Sequence, residues 1–72
     1  MNTADLKTAQ FAAFTARKSA TGLVAALSTP QRAAYHAGDR SSDIVSAALD
    51  AREKAADLTA AFRATKAAHR AR

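Results

Sequence analysis

From Asp43 to Arg70 the chain contains no glycine and no proline. An unbroken stretch of this kind constrains the fold more than any other feature of the sequence. As a single helix at ~1.5 Å per residue it would form a rod of about 42 Å. Ser41 or Ser42 is placed to cap it, and Asp43 falls in its first turn, where a carboxylate suits the helix dipole. Along it Ile44, Ala48, Ala51, Ala55, Leu58, Phe62 and Thr65 recur at spacings of 4-3-4-3-4-3. This is a heptad seam, the pattern with which one helix packs along another. Ile44, Ala48, Ala51, Ala55, Leu58 and Phe62 are therefore the expected packing line. Alanine dominates it, which permits close approach but buries little area per residue. Val45, Leu49 and Ala56 add a second apolar strip on the first half only, so that half is expected to touch two neighbours.

The rest of the chain is punctuated by Gly22, Pro30 and Gly38. Asn2 or Thr3 can cap a first helix, with Asp5 in its opening turn. Its apolar stripe contains Leu6, Ala9, Ala13 and Ala20, widened by Phe11 and Phe14, and it is expected to run to about Ser19 or Ala20. Gly22 costs a helix roughly 1 kcal/mol relative to alanine. Leu23 to Leu27 reads either as a continuation of that helix or as a short second one capped by Thr21. Thr29 precedes a proline and is pushed out of the α region. A fresh start is expected there, with Thr29 at the cap and Pro30 at the first helical position. Gly38 fits a left-handed stop, and Asp39 to Ser42 form the clearest loop. The expected fold is all-α: a small bundle or helical hairpin with one long C-terminal helix over about 43–70, packed on two or three shorter helices.

Core content bounds the size of this unit. Alanine supplies 22 of the 72 residues, and all larger apolar residues together number 13. Such a chain has one core at most, and with few β-branched residues it is not a sheet protein. No large apolar residue follows Phe62. Residues 1–62 are expected to form the compact unit and 63–72 a basic helical extension that projects past it.

The net charge is +5, from 11 Lys and Arg against 6 Asp and Glu. Residues 1–57 are nearly balanced, whereas 58–72 carry Arg63, Lys66, Arg70 and Arg72 and no acid. On a helical projection Arg52, Arg63 and Arg70 fall near one line, with Lys66 beside it. Arg52, Arg63, Lys66, Arg70 and Arg72 are the candidate partner-binding residues, suited to an acidic protein surface or to nucleic-acid phosphates. Arg17 and Lys18 stand near the expected end of the first helix, where cations suit the dipole; the other reading joins them to the tail in one basic surface.

Catalytic signals are missing. There is no cysteine, and His36 and His69 lie in different elements. His36, Asp39 and Asp43 have no recognised metal-ligand spacing, and no Gly-rich phosphate loop is present. No catalytic residue, metal, cofactor or small-molecule substrate is expected. No apolar run approaches the roughly 20 residues of a membrane helix, and Met1 to Asp5 do not resemble the start of a secretion signal. The expectation is an intracellular soluble protein, or part of a virion assembled in the cytoplasm. Leu27, Pro30, Tyr35 and Gly38, followed by Ser42 to Leu49, resemble the first two helices of a LuxR-type helix-turn-helix. The resemblance stops at Leu49, because Asp50 to Asp57 continue without the turn that would precede a recognition helix.

These features point to a non-enzymatic structural or adaptor protein that packs by alanine-rich seams into a homo- or hetero-oligomeric assembly. Small helical components of phage virions offer an analogy in size and composition. The alternative is a small basic nucleic-acid-binding or transcription-regulating protein that acts through its C-terminal tail.

Overall fold

The computed structural model describes residues 3–71. Among them are three helices and no strand: α1 (Thr3–Ala25), α2 (Thr29–Ala37) and α3 (Asp43–Arg70). The long α3 packs along α1 and, near its start, against the shorter α2. The result is elongated, with extents of 48 × 17 × 15 Å.

α1 and α3 run antiparallel. The Arg17 guanidinium donates to Thr59 Oγ1 at 3.3 Å, and nearer α2 one groove is lined by both Val24 and Arg52. Facing residue numbers therefore add to about 76. Two lines meet in this register. From α1 come Leu6, Ala9, Ala13, Ala16, Ala20 and Leu23, ending on Leu27 just beyond the helix, all buried or half-buried. From α3 come Ala48, Ala51, Ala55, Leu58, Phe62, Thr65 and His69, also buried or half-buried. Both lines keep a 3-4 alternation, and alanine on both sides lets the backbones approach closely.

The large side chains gather at the α2 end. Leu27, Tyr35, Val45, Ala48 and Leu49 form the buried cluster, with Leu23, Val24 and Ala34 packed against it. This resolves the break at Gly22, because α1 continues through it to Ala25 and past the expected end at Ser19 or Ala20. Burying Leu27 at ~1.5–3 kcal/mol, together with partial burial of Leu23 and Val24, outweighs the glycine cost of ~1 kcal/mol. A methyl group at Gly22 would meet nothing within 4 Å. Gly22→Ala should accordingly stabilise the chain by about 0.5–1 kcal/mol and raise its thermal midpoint by several degrees in a circular dichroism melt. A lowered midpoint would show that this turn is not helical in solution.

Local signals set the ends of α2. Its cap is Ser28, one residue before the expected Thr29. Ser28 Oγ accepts the Gln31 N–H at 3.4 Å, and the Ser28 N–H donates to Gln31 Oε1 at 2.8 Å. This capping box needs Gln at the third helical position, which only Ser28 as cap provides. Pro30 stands in the first turn. At the other end Gly38 takes φ 73°. Its N–H donates to the Tyr35 carbonyl at 3.1 Å and the Asp39 N–H to that of Ala34 at 2.9 Å, a Schellman closure. Ser42 occupies the cap position of α3 without a side-chain cap bond, and Asp43 lies in the first turn. The expected cap at Asn2 lies outside the described residues.

Four expectations change. Ile44 is 37% exposed, and Val45 is fully buried in its place; at this end of α3 the second strip turns to the α2-end core. Ala56 is exposed, since the nine residues of α2 do not reach that far. Phe11 and Phe14 do not widen the α1 stripe but stand 71% and 54% exposed. The described part of 63–72 is the last two turns of α3, with Thr65 and His69 half-buried. α1 begins at Thr3, and the pairing register carries its first turns level with this segment.

Candidate functional site

Antiparallel pairing sets Lys7, Arg17 and Lys18 of α1 along the same rod as Arg63, Lys66 and Arg70 of α3, against Asp5 and Asp57. Arg17 is not at a helix end, because α1 continues to Ala25 and its last turn has no base. It lines one groove with Arg63, over Ala55, Ala56, Thr59 and Ala60, and a second groove with Arg52. No carboxylate lines either groove. The sequence left open whether Arg17 caps a helix end or joins the basic tail, since its place beside Arg63 depends on the pairing of α1 with α3.

The remaining candidate residues are distributed along α3. Arg52 lies over the Tyr35 ring, 4.9 Å from guanidinium carbon to ring centre, an arrangement that favours the cation electrostatically. Lys66 Nζ is 6.0 Å from the centre of the Phe62 ring. Arg63 and Arg70 are exposed, and Arg72 lies outside the described residues. Of the expected seam, Ala48 and Ala55 are buried, Ala51, Leu58 and Phe62 are half-buried, and Ile44 is the exposed exception noted above. These residues face α1 of the same chain. His69 also turns inward, and its Nδ1 is enclosed without a hydrogen-bond partner among the described residues.

Arg40 has a role that spacing along the chain does not reveal. Its guanidinium bridges Asp50 at 2.6 Å and Glu53 at 2.9 Å, and also donates to Ser46 Oγ at 3.3 Å. The hydrogen bond to Asp50 is the main reason its pKa is raised. Beside it the Asp39 carboxylate accepts the Ser41 N–H at 3.0 Å, and this bond holds Asp39 below the usual carboxylate range. Arg40 thereby straps the α2–α3 loop onto α3 and neutralises two acids of the outer α3 face. Asp57, further along that face, has no ion-pair partner among the described residues.

The solvent side of α1 carries a second stripe. Lys7, Phe11, Phe14 and Lys18 follow one another at spacings of 4-3-4 on the face opposite the seam. Phe11 borders a groove with Ala12, Thr15, Ala16 and Ser19 of α1 and Ala51, Lys54 and Leu58 of α3. Phe14 borders a shallower one with Arg17, Lys18, Thr21 and Gly22. Among the described residues no three of His, Asp and Glu converge as a metal set. No described helix is long and apolar enough to cross a membrane. No known protein family matches the chain, and neither a curated protein nor a solved structure matches it.

Proposed function

We propose that this chain is a non-enzymatic structural or adaptor protein that docks into a homo- or hetero-oligomeric assembly through the solvent side of α1. The observation that carries this reading is the exposure of Phe11 and Phe14, 71% and 54%, on one stripe. Covering a phenylalanine side chain is worth about 1.5–3 kcal/mol. Two on adjoining turns make an apolar patch of the kind that marks an interaction site. The alanine seam has a supporting role: it holds α1 and α3 together and so presents the stripe on a rigid rod. A repeating multi-copy particle, such as a virion, is the setting that suits a rod of this kind.

A second reading is favoured by the approach of Arg17 to Arg63, which adds α1 to the basic tail. In that reading the arginine-lined side tracks nucleic-acid phosphates, with affinity from counterion release. One experiment separates the two. A photo-crosslinking residue is placed at position 11, 63 or 33 of the full chain in the cell that makes it. The assembly reading expects a defined protein adduct from position 11 and none from 33. Position 11 behaving like position 33, with nucleic acid attached at 63, would replace it with the second reading.

A further inference from the structure

We infer that the occupant of the Phe11–Phe14 stripe is the outer face of α3 of a second copy, so that the chain assembles head to tail. The inference rests on the assembly reading and names its partner.

Charge excludes the simplest alternative, α1 against α1. In an antiparallel pair centred between the two phenylalanines, Lys7 lies level with Lys18 of the other copy. In a parallel pair each lysine meets its own counterpart. Both arrangements set like charges opposite each other at both ends of a short apolar patch, which is destabilising.

The outer face of α3 has the complementary pattern. Asp57, Ala61, Ala64 and Ala68 follow at spacings of 4-3-4, and all are exposed. Within the chain, Arg17 sits level with Thr59. Moved by one residue, that antiparallel register sets Lys18 against Asp57 of the second copy, Phe14 against Ala61, Phe11 against Ala64 and Lys7 against Ala68. Large rings then enter the gaps of an alanine row, a knobs-into-holes contact. At the end of the patch Lys18 meets Asp57, and neither has an ion-pair partner among the described residues. Asp50 and Glu53, next along the face, are already engaged by Arg40. This leaves Asp57 as the acid that fixes register.

The two faces lie on different helices, turned away from each other across the hairpin. Each copy therefore offers one donor and one acceptor face. Such a contact is heterologous and leaves an open end after every addition. From Lys7 to Lys18 the contact spans about 16 Å of helix, which places it among small and weak interfaces.

The test is sedimentation velocity of the purified full chain from low concentration to about 1 mM, a range suited to weak association. The wild type should show mass rising past that of a dimer without a plateau. Lys18→Glu and Asp57→Lys should each shift the onset about tenfold higher in concentration, the effect of losing roughly 1.4 kcal/mol. The double variant should return to the wild-type curve. Phe11→Ala with Phe14→Ala should remain monomeric with unchanged helicity, since both side chains are exposed. A monomeric wild type, a plateau at dimer or a double variant that fails to recover would each overturn the inference. If position 11 still crosslinks to a different protein, the assembly reading survives that failure. If it crosslinks to nothing, both fall.

Discussion

Leu49→Ala should remove a large share of the chain's stability, about half in the middle of the expected range. Leu49 is 2% exposed at the centre of the one cluster of large side chains, among Leu27, Tyr35, Val45 and Ala48. Removing a buried leucine side chain costs about 2–5 kcal/mol, because the cavity closes only in part. At roughly 0.05–0.15 kcal/mol per residue, a chain of this size has a total stability on the order of 4–10 kcal/mol. The cluster offers no second layer to collapse into the gap, so the upper part of that range of cost applies. Urea titration followed by circular dichroism reads the loss directly. A drop below about 1 kcal/mol would mean that the α2-end cluster is not what holds the hairpin together.

The second large effect concerns a residue that is too small to contribute much area. Ala13 has no exposed surface, and the register puts it level with Phe62 and Arg63. Ala13→Leu inserts a branched side chain where the two backbones approach closely. Overpacking of this kind costs about 1–3 kcal/mol, and here it can be relieved only by separating α1 from α3. The thermal midpoint should fall by about 4–24 °C, at ~4–8 °C per kcal/mol for a domain of this size. Ala60→Leu makes the same change on the exposed side of α3 and should stay within about 0.5 kcal/mol of the wild type. Equal effects at positions 13 and 60 would refute the close alanine pairing.

The sequence showed where helices begin and end wherever one residue decides the matter. The stop at Gly38 follows from single-residue chemistry, and α3 starts at Asp43 after the loop although Ser42 makes no side-chain cap bond. The cap of α2 fell one residue from its expected place because two caps were in competition. Thr29 before proline is a good cap, but Ser28 has Gln31 at the distance that closes a capping box. The seam of α3 was legible from Ala48 onward because its heptad spacing is clean. It was misread at Ile44, where Ile44 and Val45 are both apolar and only the position of α2 chooses between them.

The candidate site was less legible, because α1 carries two stripes with the same helical period. One holds Leu6, Ala9, Ala13, Ala16 and Ala20; the other holds Lys7, Phe11, Phe14 and Lys18. By hydrophobicity alone the phenylalanines belong inside. Arg17 has two readings in the sequence, a helix end or the basic tail, because the continuity of the helix through Gly22 is open there.

The order of residues by itself determined an all-helical chain with one long C-terminal helix, a stop at Gly38 and a basic end. Those properties depend on backbone propensity and on contacts within a few positions. Only the tertiary structure decided which stripe of α1 faces inward, that α1 continues through Gly22, and that Arg17 stands beside Arg63. The reason is steric. α3 presents a narrow line of alanines, and only a second line of small residues can approach it closely. The alanine stripe of α1 therefore turns inward, and Phe11 and Phe14 are left facing solvent.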